Sequence, residues 1–383
     1  MHTFASILAL CSFTTIALCK SLWLPTTPPT SQPYAVKKGH GIPLGSGDTW
    51  NFFPVTGNSS NKAFCLMITN GPGYGMGSRP GLFPHIHKKT YENFYSSKGR
   101  VQLWGQHLDS YKSNSSEQGT RILGPGDFGG IPTNTIHTFN LMEPDTQLTG
   151  VLVPGGFEEF FFNMATDPIP GPPSSPNDTI PNPPSSPVPG FNLTDLSKWD
   201  VYPQLDFQPR TDVEEGKAGP GNWYTGPNEL PSDDNEPIWI AKNYGPKWMN
   251  DQAGYYQIIA PLVMGAQTKN LFTQGHITMS PKTEDLVPQE IVSPQATALM
   301  LEEGQLAVTV EGFDTAHLID GDVVFVPPNR PFTYFAEAEF TKFLYVSSGA
   351  NGLDAMLMKN ASAWNSAFYP RRGVTHIKRG LKI

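Results

Sequence analysis

GDFGGIPTNTIHTFN, beginning at Gly126, and GDVVFVPPNRPFTYF, beginning at Gly321, are two versions of one phrase. Gly126, Pro132, Asn134 and Phe139 fall in step with Gly321, Pro327, Asn329 and Tyr334. Upstream, Gly99 in SSKGRVQLW matches Gly304 in LEEGQLAVTV, and PYAVKKGHG at Pro33 resembles PIWIAKNYG at Pro237. The matches keep the same order in both halves, so an internal duplication is the economical explanation. A chain of 383 residues is long enough for two domains, each burying its own core.

Short runs of β-branched and aromatic residues, such as FCLMIT, GVLVP, ATALML, LAVTV and DVVFVP, are separated at close intervals by Gly, Pro and Asn. With 38 prolines, 37 glycines and only 16 % charged residues, the composition favours turn-rich β architecture over long surface helices. The expectation is an all-β chain: two small barrels of shared topology, with a few helical turns near the ends of each domain. Residues 167–190, DPIPGPPSSPNDTIPNPPSSPVPG, repeat the unit PPSSP and read as an extended, semi-rigid spacer. The stretch from there to Glu236 has little apolar periodicity, and its Trp199, Tyr202 and Trp223 suggest packing along a domain surface. The expected division is therefore a first barrel over 20–166, a linker over 167–235 and a second barrel over 236–383.

Residues 1–19, MHTFASILALCSFTTIALC, form a short apolar run without an acidic side chain and with small residues at its end, the pattern of a secretory signal peptide. A membrane anchor is the alternative, but Ser12, Thr14 and Thr15 interrupt the run and no later segment is long enough to span a bilayer. Asn-x-Ser/Thr sequons at Asn58, Asn114, Asn177, Asn192 and Asn360 agree with a secreted, extracellular glycoprotein. Removal of the leader takes Cys11 and Cys19, leaving Cys65 in AFCLMIT as a buried core thiol. Stability must then come from core burial. A net charge of −8 and the lack of a basic tract, apart from the tail around Arg371 to Lys382, argue against a nucleic-acid partner.

The candidate site lies in PHIHKKTYENFYSSKG, residues 84–99. On a strand, residues two apart share a face, so His85 and His87 project together from one wall. Glu92 follows a short turn, and His137 in PTNTIHTFN adds a third imidazole. Three imidazoles and a carboxylate can hold a metal ion while leaving a coordination position open. Two surface histidines beside a glutamate would be the bland alternative. His40, His107, His276, His317 and His376 read as surface or satisfied core histidines.

The set H-x-H-x4-E-x6-G, over His85 to Gly99, followed by G-x5-P-x-N-x2-H, over Gly126 to His137, resembles the paired signatures of the cupin superfamily, with Asn134 where a glycine is usual. The resemblance implies two jelly-roll β-barrel domains, a bicupin. Aligning Gly304 on Gly99 puts Glu290, Val292 and Thr297 at the positions of His85, His87 and Glu92, and Phe332 at that of His137. The second barrel is thus expected to bind no metal.

The phrases PHIHKKTYENFYSSKGRVQLW, EPDTQLTGVLVPGGFEE and VSSGANGLD are similar to the secreted fungal quercetin 2,3-dioxygenases, across nearly all of the chain after the leader. Apolar and aromatic residues on the ligand-bearing and neighbouring segments, Trp50, Met67, Phe94, Phe139, Leu148, Leu152 and Phe157, suit a flat hydrophobic substrate, though several must simply fill the barrel. The resemblance carries over Met67, Thr69, Phe94, Phe139 and Phe157 as pocket positions and places Trp50 at the pocket edge where a tyrosine is usual. It implies one Cu2+ per chain on His85, His87, Glu92 and His137. It further implies O2-dependent cleavage of a flavonol's heterocyclic ring, with loss of CO and formation of a depside, Glu92 taking the 3-hydroxyl proton in an apolar pocket that raises its proton affinity. Ligand types alone would admit several metals. A manganese bicupin of the oxalate decarboxylase or oxidase type, and a non-catalytic storage or binding bicupin, are the competing readings. The partners expected are the small-molecule flavonol and O2, with neither nucleic acid nor membrane, and a homodimer left open.

Overall fold

The computed structural model describes residues 20–46, 49–71, 82–113, 118–164, 193–210 and 228–370. The leader, the spacer 167–190, Trp223, His376 and the sequons at Asn114, Asn177 and Asn192 lie outside these residues, whereas Asn58 and Asn360 are exposed. No described helix is long and apolar enough to cross a membrane.

Each half folds as a large sheet packed on a small one, with antiparallel pairing between the strands. In the first, a seven-stranded sheet runs in the order Ile238–Ile240, Phe128–Ile131, Tyr91–Lys98, Thr146–Val153, Cys65–Gly71, Thr49–Val55, Ile42–Ser46. Its partner is a five-stranded sheet: Tyr202–Pro203, His85–Ile86, Thr135–Leu141, Val101–His107, Gly119–Leu123. The second half repeats the plan with eight strands and four. Helices are few and short; Glu158–Met164 and Leu353–Met358 close the two barrels.

The duplication is reciprocal. Strand Tyr34–Val36, early in the chain, pairs with Val323–Val326 in the second barrel's large sheet, and Ile238–Ile240 pairs with Phe128–Ile131 in the first. Past each exchanged strand a lysine N–H donates to the aspartate of the repeated phrase, Lys38 to Asp322 at 2.9 Å and Lys242 to Asp127 at 2.8 Å. The glycines before those aspartates have left-handed backbones, φ 96° at Gly126 and 82° at Gly321. A Cβ on either would lie 2.6 Å from the lysine that crosses it, so the turn and the close approach both demand glycine. The sequence division at 166 and 236 is therefore crossed twice by strands.

Between the barrels, Phe52, Ile68, Tyr91, Tyr95 and Val151 of the first large sheet pack with Phe272, Met300, Leu344 and Val346 of the second, all buried. Alternation along each strand sends one set of side chains to this interface and the other into the barrel. The second barrel's interior is one continuous apolar cluster that includes Leu299, Leu306, Phe332, Phe343 and Tyr345. The first barrel's interior is divided into two, one around Phe53, Met67, Leu152 and Phe157 and the other around Phe94, Leu103, Leu141 and Leu148.

Residues 193–210 form more than a connector. A 3₁₀ turn, Leu193–Trp199, buries Leu196 against the first barrel, and Tyr202–Pro203 adds a strand beside His85–Ile86. Phe207 is buried with Ile86, Trp104 and Ile136 on the outer side of the small sheet.

Candidate metal centre

His85 lies opposite His137 in the small sheet, and His87 follows one residue beyond the same short strand. Glu92 comes from the large sheet, second in the strand Tyr91–Lys98 and flanked in register by Ile131 and Leu152. The two walls of the barrel thus bring four donors together: one ligand atom from each residue lies within 4.8 Å of every other, and all four side chains are buried. Among the described residues no other group of three or more His, Cys, Asp or Glu converges in this way.

The hydrogen bonds around the ring fix its chemistry. Each histidine places Nδ1 on a backbone carbonyl: His85 on Phe83 at 3.0 Å, His87 on Asp200 at 2.8 Å, His137 on Thr135 at 2.9 Å. A carbonyl only accepts, so Nδ1 carries the proton and, in a neutral ring, Nε2 presents its lone pair inward. The Nε2 atoms of His87 and His137 lie 3.1 and 3.0 Å from the same oxygen of Glu92, Oε2. Lone pairs converging on a carboxylate repel one another unless a proton or a metal cation lies among them. Backbone-oriented imidazoles with free Nε2 atoms are the arrangement of metal-ligating histidines, and the donor set fits a transition ion with room for a further ligand.

Burial drives the proton affinity of His85 well below that of free imidazole, and the neighbouring His137 and His87 add to the effect. For Glu92, burial by itself pushes upward; His137 and His87 lower the carboxyl by hydrogen bonds and charge only when their rings are protonated and donate through Nε2.

Aromatic rings surround the ligands. Phe157 lies 4.6 Å from the His87 ring, Phe83 5.8 Å from His85, and Phe94 6.1 Å from His137 and 5.6 Å from Phe139. The ligand ring stands where the first barrel's core divides, with Met67, Leu152 and Phe157 in one cluster and Phe94, Leu148 and Phe139 in the other. Thr69 is buried further along the large sheet, in register with Leu148 and Asn51. Trp50 is the exception. It packs against the cluster between the barrels, because on strand Thr49–Val55 the inward position belongs to its neighbour. Asn51 occupies that position, accepting from Thr69 Oγ1 at 2.7 Å and leaving its buried Nδ2 without a partner.

Two large clefts, of about 700 and 650 Å³, lie elsewhere, one beside Arg121 and Trp239 and one between the barrels near Tyr95 and Glu302. None of the four ligands lines either. Donor chemistry, rather than cleft size, identifies the site.

The second barrel corrects one alignment. Asn134 donates to the His87 carbonyl and Asn329 to that of Ser293; His137 pairs with His85 and Phe332 with Ile291. The residues at the histidine positions are therefore Ile291 and Ser293, not Glu290 and Val292, because the turn before Thr297 is one residue shorter. Thr297 and Phe332 do stand where Glu92 and His137 stand. Elsewhere, His276 is buried on Glu302, His317 is exposed beside Glu337, and Cys65 is a buried free thiol.

Asp200 and Asn51 were not apparent as site residues. Asp200 reaches the ring from 113 positions away, and a lone aspartate in KWDVYP carries no local signal of such a contact. Asn51 required the strand's face to be known.

No protein-family model matches the chain. Quercetin 2,3-dioxygenase of Aspergillus japonicus is 39 % identical over 359 residues, 91 % of this chain and 98 % of that protein. Quercetin 2,3-dioxygenase of Bacillus subtilis (strain 168) is 32 % identical over 146 residues, 38 % of each chain. Among solved structures, the formate complex of Lactobacillus farciminis oxalate decarboxylase superposes with a TM-score of 0.46 at 12 % identity, covering 81 % of this chain and 83 % of that one.

Proposed function

The chain belongs to the quercetin 2,3-dioxygenase family, and from that premise we propose that it cleaves the heterocyclic ring of quercetin-type flavonols with O2, releasing carbon monoxide and a depside. The observation that carries the reading is the convergence of two imidazole lone pairs on one carboxylate oxygen inside an apolar barrel. His85, His87, His137 and Glu92 would hold one Cu2+. Copper, when bound, supplies a Lewis acid and a one-electron redox couple beside the substrate ring.

The remaining work falls to side chains of this chain. Glu92, whose Oε2 lies among the imidazoles, would accept the proton of the substrate's 3-hydroxyl at its other oxygen. The backbone carbonyls of Phe83, Asp200 and Thr135 keep the imidazoles aimed inward during that transfer. Phe157, Met67 and Leu152 on one side and Phe94, Phe139 and Leu148 on the other would sandwich the flat rings and keep water from reactive species. Thr69 and Asn51 lie farther along the large sheet, where a hydroxyl of the substrate could meet the unpartnered amide. The second barrel, with Ile291, Ser293, Thr297 and Phe332 at the ligand positions, serves as a packing partner.

We read residues 1–19 as a leader directing secretion, and the exposed Asn58 and Asn360 as open to glycosylation.

Aerobic incubation with quercetin tests the activity. The expected result is bleaching of the flavonol, carbon monoxide in the headspace and about one copper per chain, as a single four-donor site requires. Copper in the chain without flavonol loss, or oxalate turnover in its place, would overturn the reading.

A further inference from the structure

We infer that Asp200 is a positioning residue of the metal centre, which holds the turn between His87 and Glu92 from outside the barrel. The inference rests on the reading of His85, His87, Glu92 and His137 as metal ligands.

Asp200 makes two kinds of contact with that turn. Its backbone carbonyl accepts the Nδ1 proton of His87 at 2.8 Å, fixing which nitrogen faces the ring. Its carboxylate accepts three consecutive backbone N–H groups, from Lys88 at 3.1 Å, Lys89 at 2.8 Å and Thr90 at 2.9 Å. Those residues form the link between the second histidine and the glutamate. One aspartate thus orients a ligand ring and sets the path of the chain to the next ligand, Glu92, on the opposite wall. Charge-assisted bonds accepted by a carboxylate are the stronger class.

The residue is itself held in place. Its backbone is left-handed, φ 65°, a conformation that aspartate tolerates better than most residues. On one side Leu196 is fully buried against the barrel, and Val201 follows into the same cluster. On the other, Tyr202 and Pro203 pair with Ile86 and His85, and the Lys88 ammonium lies 4.0 Å from the Tyr202 ring. A segment that sequence alone marks as connector therefore completes the centre, and its attachment is coupled to ligand geometry.

The test uses the full-length, metal-free protein titrated with Cu(II) against a competing chelator, together with the cupric electron paramagnetic resonance spectrum. Asp200→Gly keeps the left-handed backbone and the carbonyl but removes the carboxylate. It should weaken copper binding about 10–100-fold, the usual effect of losing a group that orients a metal ligand, and alter the copper hyperfine splitting. Phe332→Ala, in the second barrel's core, is the packing control: it should lower the unfolding midpoint more than Asp200→Gly does, yet bind copper with the parent's affinity and spectrum. Should Asp200→Gly fail to fold, Asp200→Asn, which keeps a left-handed preference and one acceptor oxygen, is read in its place with a smaller loss expected. Parent affinity and spectrum in the aspartate variant, or equal weakening by Phe332→Ala, would overturn the inference. Failure of the unsubstituted chain to bind copper would instead refute the metal reading on which it rests.

Discussion

Asn134 and Asn329 stand at the same corner of the two barrels. Each has a left-handed backbone, φ 58° and 59°, and each donates its N–H to the carbonyl just past the first short strand of its small sheet, that of His87 at 2.6 Å and of Ser293 at 2.7 Å. Asparagine tolerates this conformation, which explains why it can replace the glycine usual at Asn134.

Asn134→Gly is therefore expected to change stability little, whereas Asn134→Val, β-branched and ill suited to positive φ, should cost on the order of 1–3 kcal/mol. Because the bond to His87 is strained with it, copper content should fall in the valine variant alone. Urea unfolding and elemental analysis check both outcomes.

His137→Ala and Phe332→Ala occupy equivalent positions with opposite expected effects. The first removes a ligand and should abolish copper retention. The second leaves the metal in place but opens a cavity in a continuous apolar core, costing about 3–5 kcal/mol. Loss of copper in both would refute a single site in the first barrel.

Glu92→Gln keeps the size of the side chain but loses the carboxylate that faces His87 and His137. Some copper should remain on the three imidazoles, while turnover falls about 10²–10⁴-fold, the range associated with a positioned base. Unimpaired flavonol cleavage in this variant would remove Glu92 from the proton transfer.

A pH effect on stability should arise at the interface, where Glu302 receives His276 Nε2 and Lys342 Nζ, each at 2.9 Å, with Tyr95 of the first barrel against the His276 ring. Burial pushes the Glu302 carboxyl up, but His276 and Lys342 prevail and hold it at about 2, against 4.5 for a free side chain. The folded pKa is the lower one, so this stabilisation is fully present above about 4.5 and is lost as pH falls towards 2; it amounts to about 3 kcal/mol. His276, lowered chiefly by burial, works in the same direction below its ordinary 6.5, since the unfolded chain takes up a proton first. Glu302→Gln should flatten the fall in stability between pH 5 and 3, measured by urea midpoints. An unchanged slope would rule out Glu302 as its source.

Much of this arrangement was legible in the chain itself. The repeated phrase gave two barrels because its glycines serve both a turn and a crossing lysine, a local demand that leaves a local trace. The ligands were legible because a chelate needs fixed spacing on strands. What escaped depended on tertiary placement: Trp50 and Asn51 are adjacent, and only the sheet's orientation decides which of them faces inward. Ile291 and Ser293 were missed because a one-residue shortening of a turn cannot be placed without the hydrogen bond to Asn329. Asp200 lies in a stretch without periodicity, and its partners are backbone groups that carry no side-chain signature.

The exchanged strands have a consequence for biosynthesis. A nascent polypeptide that has emerged only as far as Arg210 already contains His85, His87, Glu92 and His137, yet Phe128–Ile131 still awaits Ile238–Ile240 and would expose a bare sheet edge. Tyr34–Val36, translated long before, must wait for Val323–Val326. Neither large sheet is complete until the other half of the chain has been made, so the barrel wall that carries Glu92 takes its final form only in the finished molecule.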